Sequence, residues 1–93
     1  MTVGVLTLEI FFPHARSLKD KRRILHGFKD RIRGRYNIAL AEIGYQDKWQ
    51  RALLRIAALN SQAGVVDEIL NKVLADAHSM EEGEVAGHEI AYF

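Results

Sequence analysis

A chain of 93 residues, 48% apolar and 27% charged, has room for one core and lies in the ordinary globular range, at a mean hydropathy of -0.11. A single ordered domain is therefore expected, and the absence of cysteine removes disulfides, thiolate metal sites and thiol nucleophiles together. No apolar run approaches the roughly 18 residues of a membrane helix and no signal-peptide pattern opens the chain, so a cytoplasmic protein without a membrane partner is expected.

Residues 2 to 12 are apolar on both faces apart from Thr2, Thr7 and Glu9, which predicts a central strand closed by Pro13. Ser17 and Asp20 have the spacing of a capping box, and a helix is expected from about 18 to 34, with Leu18, Ile24, Leu25, Phe28 and Ile32 on its buried side and Gly34 as its stop. Tyr36 to Tyr45 and Ala52 to Leu59 read as a hairpin, the second arm apolar on both faces except at Arg55. Asn60 or Ser61 is placed to cap a helix from about 62 to 78 with Val65, Val66, Ile69, Leu70, Val73, Leu74 and Ala77 as its stripe. An edge strand over 84 to 92 completes the order.

This βαββαβ order predicts an α+β, ferredoxin-like sandwich over residues 1 to 93, a four-stranded antiparallel sheet with both helices on one face. The strands apolar on both faces, the first and third, belong in its centre. Charges on central strands avoid the helix-covered face, where an unpaired charge costs several kcal/mol. Glu9 therefore assigns Val3, Val5, Thr7 and Phe11 to the open face, and Arg55 assigns Leu53, Ala57 and Leu59 to it as well. A partly apolar open face implies a homodimer or another protein partner.

The charge is strongly segregated. Residues 16 to 35 carry nine Lys or Arg against two Asp, and residues 56 to 93 one Lys against seven Asp or Glu, although the net charge is only +1. Such asymmetry fits a polyanion partner for the basic part, or a basic end that meets the acidic end of a second copy. On the first helix Lys19, Arg22, His26, Lys29 and Arg33 share an arc of about 80° beside the apolar stripe. That ridge is either a solvated face or a phosphate-binding surface; its single sign favours the latter more than a mixed face would. Lys21 lies within the apolar arc, where a snorkelling side chain is expected.

With the hairpin centred between Lys48 and Trp49, Glu42 falls opposite Arg55. A polar cluster of Glu9, Glu42 and Arg55 on the open face follows, structural or part of an interface. Trp49 at the hairpin reads as a lid over one end of the core or as a partner anchor. The four histidines lack metal-ligand spacing, no phosphate loop or catalytic triad motif occurs, and the third strand lacks the aromatic pattern of RNA-recognition motifs. No metal, cofactor or catalytic residue is expected, and any base stacking on the sheet is disfavoured.

The run Ala15-Arg16-Ser17-Leu18-Lys19-Asp20-Lys21-Arg22, with Val3-Gly4-Val5-Leu6 before it and Ala41-Glu42 and Asp47-Lys48-Trp49-Gln50-Arg51 after it, resembles the YlxP-like family of small bacterial proteins. The resemblance implies a ferredoxin-like fold and a bacterial cytosolic protein. Members are often encoded beside translation and ribosome-maturation factors, which implies contact with RNA or the ribosome, and no catalytic residue carries over. The reading is a non-catalytic RNA- or ribosome-associated module acting through the ridge; the alternative is a protein-interaction or dimerisation module acting through the open sheet.

Overall fold

The computed structural model describes all residues, Met1–Phe93. Its elements are β1 (Thr2–Phe11), α1 (Leu18–Arg35), β2 (Ala39–Gly44), β3 (Arg51–Asn60), α2 (Ala63–His78) and β4 (Glu84–Tyr92). The strands form one sheet in the order β2-β3-β1-β4, every neighbouring pair antiparallel. This is the ferredoxin-like α+β sandwich, with the two apolar strands β1 and β3 in the middle.

Strand parity places the core. Leu6, Leu8 and Ile10 of β1, continued by Phe12, and Ala52, Leu54, Ile56 and Ala58 of β3 are buried, whereas the residues between them are half-buried or exposed. The helices cover the buried face with Leu25, Phe28 and Ile32 from α1 and Val66, Leu70, Val73 and Ala77 from α2. As expected, Glu9 and Arg55 lie on the uncovered face. Burying an apolar side chain of this size stabilises by roughly 1.5–3 kcal/mol, so these two helix stripes hold the layers together.

The caps differ from expectation in instructive ways. Ser17 Oγ accepts from Asp20 N at 3.0 Å as predicted, but the Asp20 carboxylate accepts from Arg16 N, one residue before the cap. Gly34 does not stop α1, which runs to Arg35 and closes with Tyr36 N donating to Ile32 O. Neither Asn60 nor Ser61 caps α2, whose first turn has no side-chain cap; Asn60 Oδ1 instead accepts from Gln62 N and shapes the turn before the helix. At its far end α1 is tied to α2, since Tyr36 donates to Asp76 Oδ2 at 2.9 Å and Arg35 meets the same carboxylate at 3.3 Å. Burial together with that hydrogen bond pushes the Tyr36 phenol above its usual pKa.

At Gly4, on β1, α2 approaches the sheet so closely that a Cβ would stand 2.6 Å from Val66 Cγ1 and 2.7 Å from Leu70 Cδ1, both on buried side chains. Gly4→Ala is therefore expected to lower stability by about 1–3 kcal/mol through overpacking, read as a shift in the urea midpoint at unchanged slope.

Candidate nucleic-acid interface

The structure sorts the basic residues of α1 onto three sides. One side is buried. On it Lys21, only 1% exposed, does not snorkel. Its Nζ donates to Tyr45 O at 2.6 Å and Lys48 O at 2.8 Å, and faces Glu42 Oε2 at 3.3 Å. A lysine inside an apolar arc reaches outward when water is near, but this one finds a carboxylate and two turn carbonyls closer than solvent. Those contacts fasten the first turn of α1 to the β2–β3 hairpin, where Tyr45 holds a left-handed φ of 60°. A non-glycine residue in that region costs about 1–3 kcal/mol, which the Lys21 hydrogen bond and the Arg51 guanidinium 4.7 Å above the Tyr45 ring help to offset.

The second side faces α2 and the turn before β4. There Arg23 meets Glu82 and Arg35 meets Asp76, each at 3.3 Å, so part of the acidic C-terminal third neutralises part of the helix within one chain.

The third side is the predicted ridge. Lys19, Arg22, His26 and Arg33 are exposed and Lys29 is half-buried. The ridge borders a groove of about 550 Å³, whose lining includes Lys19, Arg22, His26, Lys29 and Glu42 from edge strand β2. Glu42 brings little free negative charge there, because Lys21 already stands against it. No carboxylate lies within 4.0 Å of Lys19, Arg22, Lys29 or Arg33. His26 differs from its neighbours: its Nε2 is 3.1 Å from Asp30 Oδ2, one turn on, so it is engaged at the margin of the ridge. The ridge thus presents four unpaired cations as two pairs, Lys19 with Arg22 and Lys29 with Arg33, each about one turn or 5–6 Å apart, with about 10 Å between the pairs.

The expected cluster of Glu9, Glu42 and Arg55 does not form. The hairpin centre is right nearest the turn, where Gly44 pairs with Leu53, but an irregularity between Glu42 and Gly44 shifts the register, so Glu42 pairs with Leu54 and Arg55 with Ala41. A one-residue slip moves a side chain to the opposite face, which puts Glu42 under the helices beside Lys21. Arg55 instead donates to Thr7 Oγ1 at 3.3 Å and has no carboxylate within 4.0 Å, and Glu9 pairs with Arg51. The Glu9 hydrogen bond raises the already high pKa of Arg51 further. Trp49 is 54% exposed and covers no core; it borders a surface depression with Phe11 and Arg51. The His78 and His88 rings, ten residues apart in sequence, meet edge to face at 6.5 Å.

A ferredoxin-like sandwich with a cationic helix flank and an uncovered sheet face defines a small α+β protein. By sequence the chain belongs to the family described as "Protein of unknown function (DUF503)", whose profile matches residues 3–90. It is similar to the uncharacterized protein YlxP of Bacillus subtilis (strain 168), 38% identical over 82 residues that span 88% of this chain and 89% of that one. Among solved structures it is similar to the de novo designed protein Foldit4, with a TM-score of 0.57 at 10% identity, covering all of this chain and 97% of that one. A de novo designed ferredoxin-fold protein, LFR1 1, gives 0.52 at 15% identity, covering 100% and 83%. A C-terminal segment of the alpha subunit of aIF2 from Pyrococcus abyssi gives 0.50 at 16%, covering 100% and 49%. At these identities the structural likeness concerns the fold alone.

Removing the Lys21 ammonium leaves Glu42 and two carbonyls without their cation. Lys21→Met is expected to cost about 2–4 kcal/mol in urea unfolding, and Glu42→Gln, which keeps both carbonyl bonds, about 1–2 kcal/mol. Equal stability of Lys21→Met and the wild type would show that the buried pair does not fasten the hairpin.

Proposed function

We propose that the protein is a non-catalytic, cytoplasmic RNA- or ribosome-associated module that holds phosphates of structured RNA on the α1 ridge. The observation that carries this reading is the asymmetry of α1: the arginines facing α2 include two neutralised by Glu82 and Asp76, whereas Lys19, Arg22, Lys29 and Arg33 on the opposite flank have no counter-charge. Like charges one turn apart are mildly destabilising in a helix unless something offsets them, and a polyanion does so. Phosphate binding needs several Lys or Arg donors on a rigid surface. The helix supplies them as two pairs, each at a spacing close to that of successive phosphates, and the Lys21 anchor and the apolar stripe keep it rigid. The ridge carries no Phe, Tyr or Trp platform for a base and no Asn or Gln to read one, so affinity depends on charge and shape, as for double-stranded RNA.

Three or four neutralised phosphates predict a log-log salt slope of roughly -2 to -4, with micromolar or weaker binding to non-specific RNA. Arg22→Glu/Lys29→Glu/Arg33→Glu is expected to abolish binding while leaving the urea midpoint almost unchanged, because none of the three pairs with a carboxylate in the fold. A titration of wild type and variant at two salt concentrations measures this. Equal affinities, or a flat salt response, would reduce the ridge to a solvated face.

A further inference from the structure

The uncovered sheet face has an order of its own. Its rungs, read across β3, β1 and β4, are Leu59–Val3–Phe93, Ala57–Val5–Ala91, Arg55–Thr7–Glu89, Leu53–Glu9–Gly87 and Arg51–Phe11–Glu84. The arginines are confined to the β3 column and both β4 charges are acidic. Arg55 and Glu89 flank Thr7 on the same rung, yet neither has an oppositely charged group within 4.0 Å, and Glu84 has none either. The end of the face beyond them is apolar and partly open to water, with Leu59 56% and Phe93 78% exposed.

A two-fold axis lying between two such faces and running along β1 exchanges the two outer columns. Each rung then meets its own complement: Arg55 stands over Glu89 of the second copy, Arg51 over its Glu84, Ala57 over its Ala91, Leu59 over its Phe93, and Leu53 over its Gly87. Large side chains meet glycine or an aromatic ring, small meets small, and positive meets negative. The usual rotation of about 30° between stacked sheets is within the reach of Arg and Glu side chains. An axis across the strands would instead set Arg55 over Arg55. Of the charges on the face, only Glu9 falls over its own copy, and it is already neutralised by Arg51. Five rungs by three strands span on the order of 400 Å² in projection, and more in accessible area, against the roughly 800 Å² per partner of a standard interface.

We propose that the open face is the interface of a two-fold homodimer, in which Arg55 of each copy pairs with Glu89 of the other and Arg51 with Glu84, around an apolar contact of Val3, Val5, Leu59 and Phe93. The helices then lie on the outside of both copies, and the α1 ridges stay accessible. The inference stands on the sheet alone and does not depend on RNA binding.

The test is sedimentation equilibrium of wild type, Arg55→Glu, Glu89→Arg, the Arg55→Glu/Glu89→Arg double variant, and an equimolar mixture of the two single variants. Wild type is expected to sediment as twice its 10.6 kDa mass. Each single variant sets like charges across the axis twice and should weaken the dimer at least about tenfold. The double variant restores both pairs with their signs exchanged. The mixture restores them in a heterodimer, since each copy then meets the opposite charges; both should regain dimers close to wild-type strength. Thermal unfolding of each variant checks that these exposed positions leave the fold intact. Wild type remaining monomeric at roughly 100 µM would overturn the proposal. A dimer indifferent to both single variants, or one that the double variant and the mixture fail to restore, would overturn it as well.

Discussion

The structure depends on the one-sidedness of its sheet. β1 and β3 alternate strictly: every second residue is buried beneath the helices and every intervening one faces outward. Desolvating a charge without a partner costs more than any single apolar contact returns, so the covered face admits almost nothing polar. Charges are thereby expelled to the outer sides of the two helices and their turns and to the open face. Both proposed surfaces are consequences of that expulsion, and their layout follows from which charges neutralise one another within the chain.

Lys21 and Glu42 are the exception, and they show how the rule is kept. Lys21 is buried as deeply as the core leucines, but two of its donors are taken by carbonyls of the hairpin turn and its charge stands 3.3 Å from the Glu42 carboxylate. Replacing such a pair with well-packed apolar residues is often neutral for stability, whereas breaking it is costly; its value lies in specifying one position of the hairpin against the helix. That position fixes how the ridge stands over edge strand β2, and hence where its four free cations point.

The element order, the central strands, the facing of Glu9 and Arg55 and the exposure of the ridge were legible from residue pattern, because period-two and 3.6-residue periodicities report directly on which side is dry. The placement of Glu42 was not. It turns on an irregularity between Glu42 and Gly44, which no hydrophobic pattern marks in a strand this short. Lys21 did carry a signal, a charge in the middle of an apolar arc, but its meaning required the partner that the same irregularity brings to it. The ion pairs Arg23–Glu82 and Arg35–Asp76 join residues 59 and 41 positions apart, a separation that only the packing of α1 on α2 and its following turn resolves. For the same reason, the columns of Arg and Glu on the open face appear only once the β4 register and its bulge between Glu9 and Ile10 are known.

The account assigns separate tasks to opposite sides of a small sandwich, RNA phosphates to the helix flank and a second copy to the sheet. The measurement that bears most directly on the first is a two-dimensional NMR titration of the protein with a short RNA duplex at low salt. The account predicts shifts concentrated on the exposed positions of α1 between Lys19 and Arg33, with Thr7, Arg55 and Glu89 unmoved. Shifts centred on the open face, or none at any RNA concentration, would contradict it.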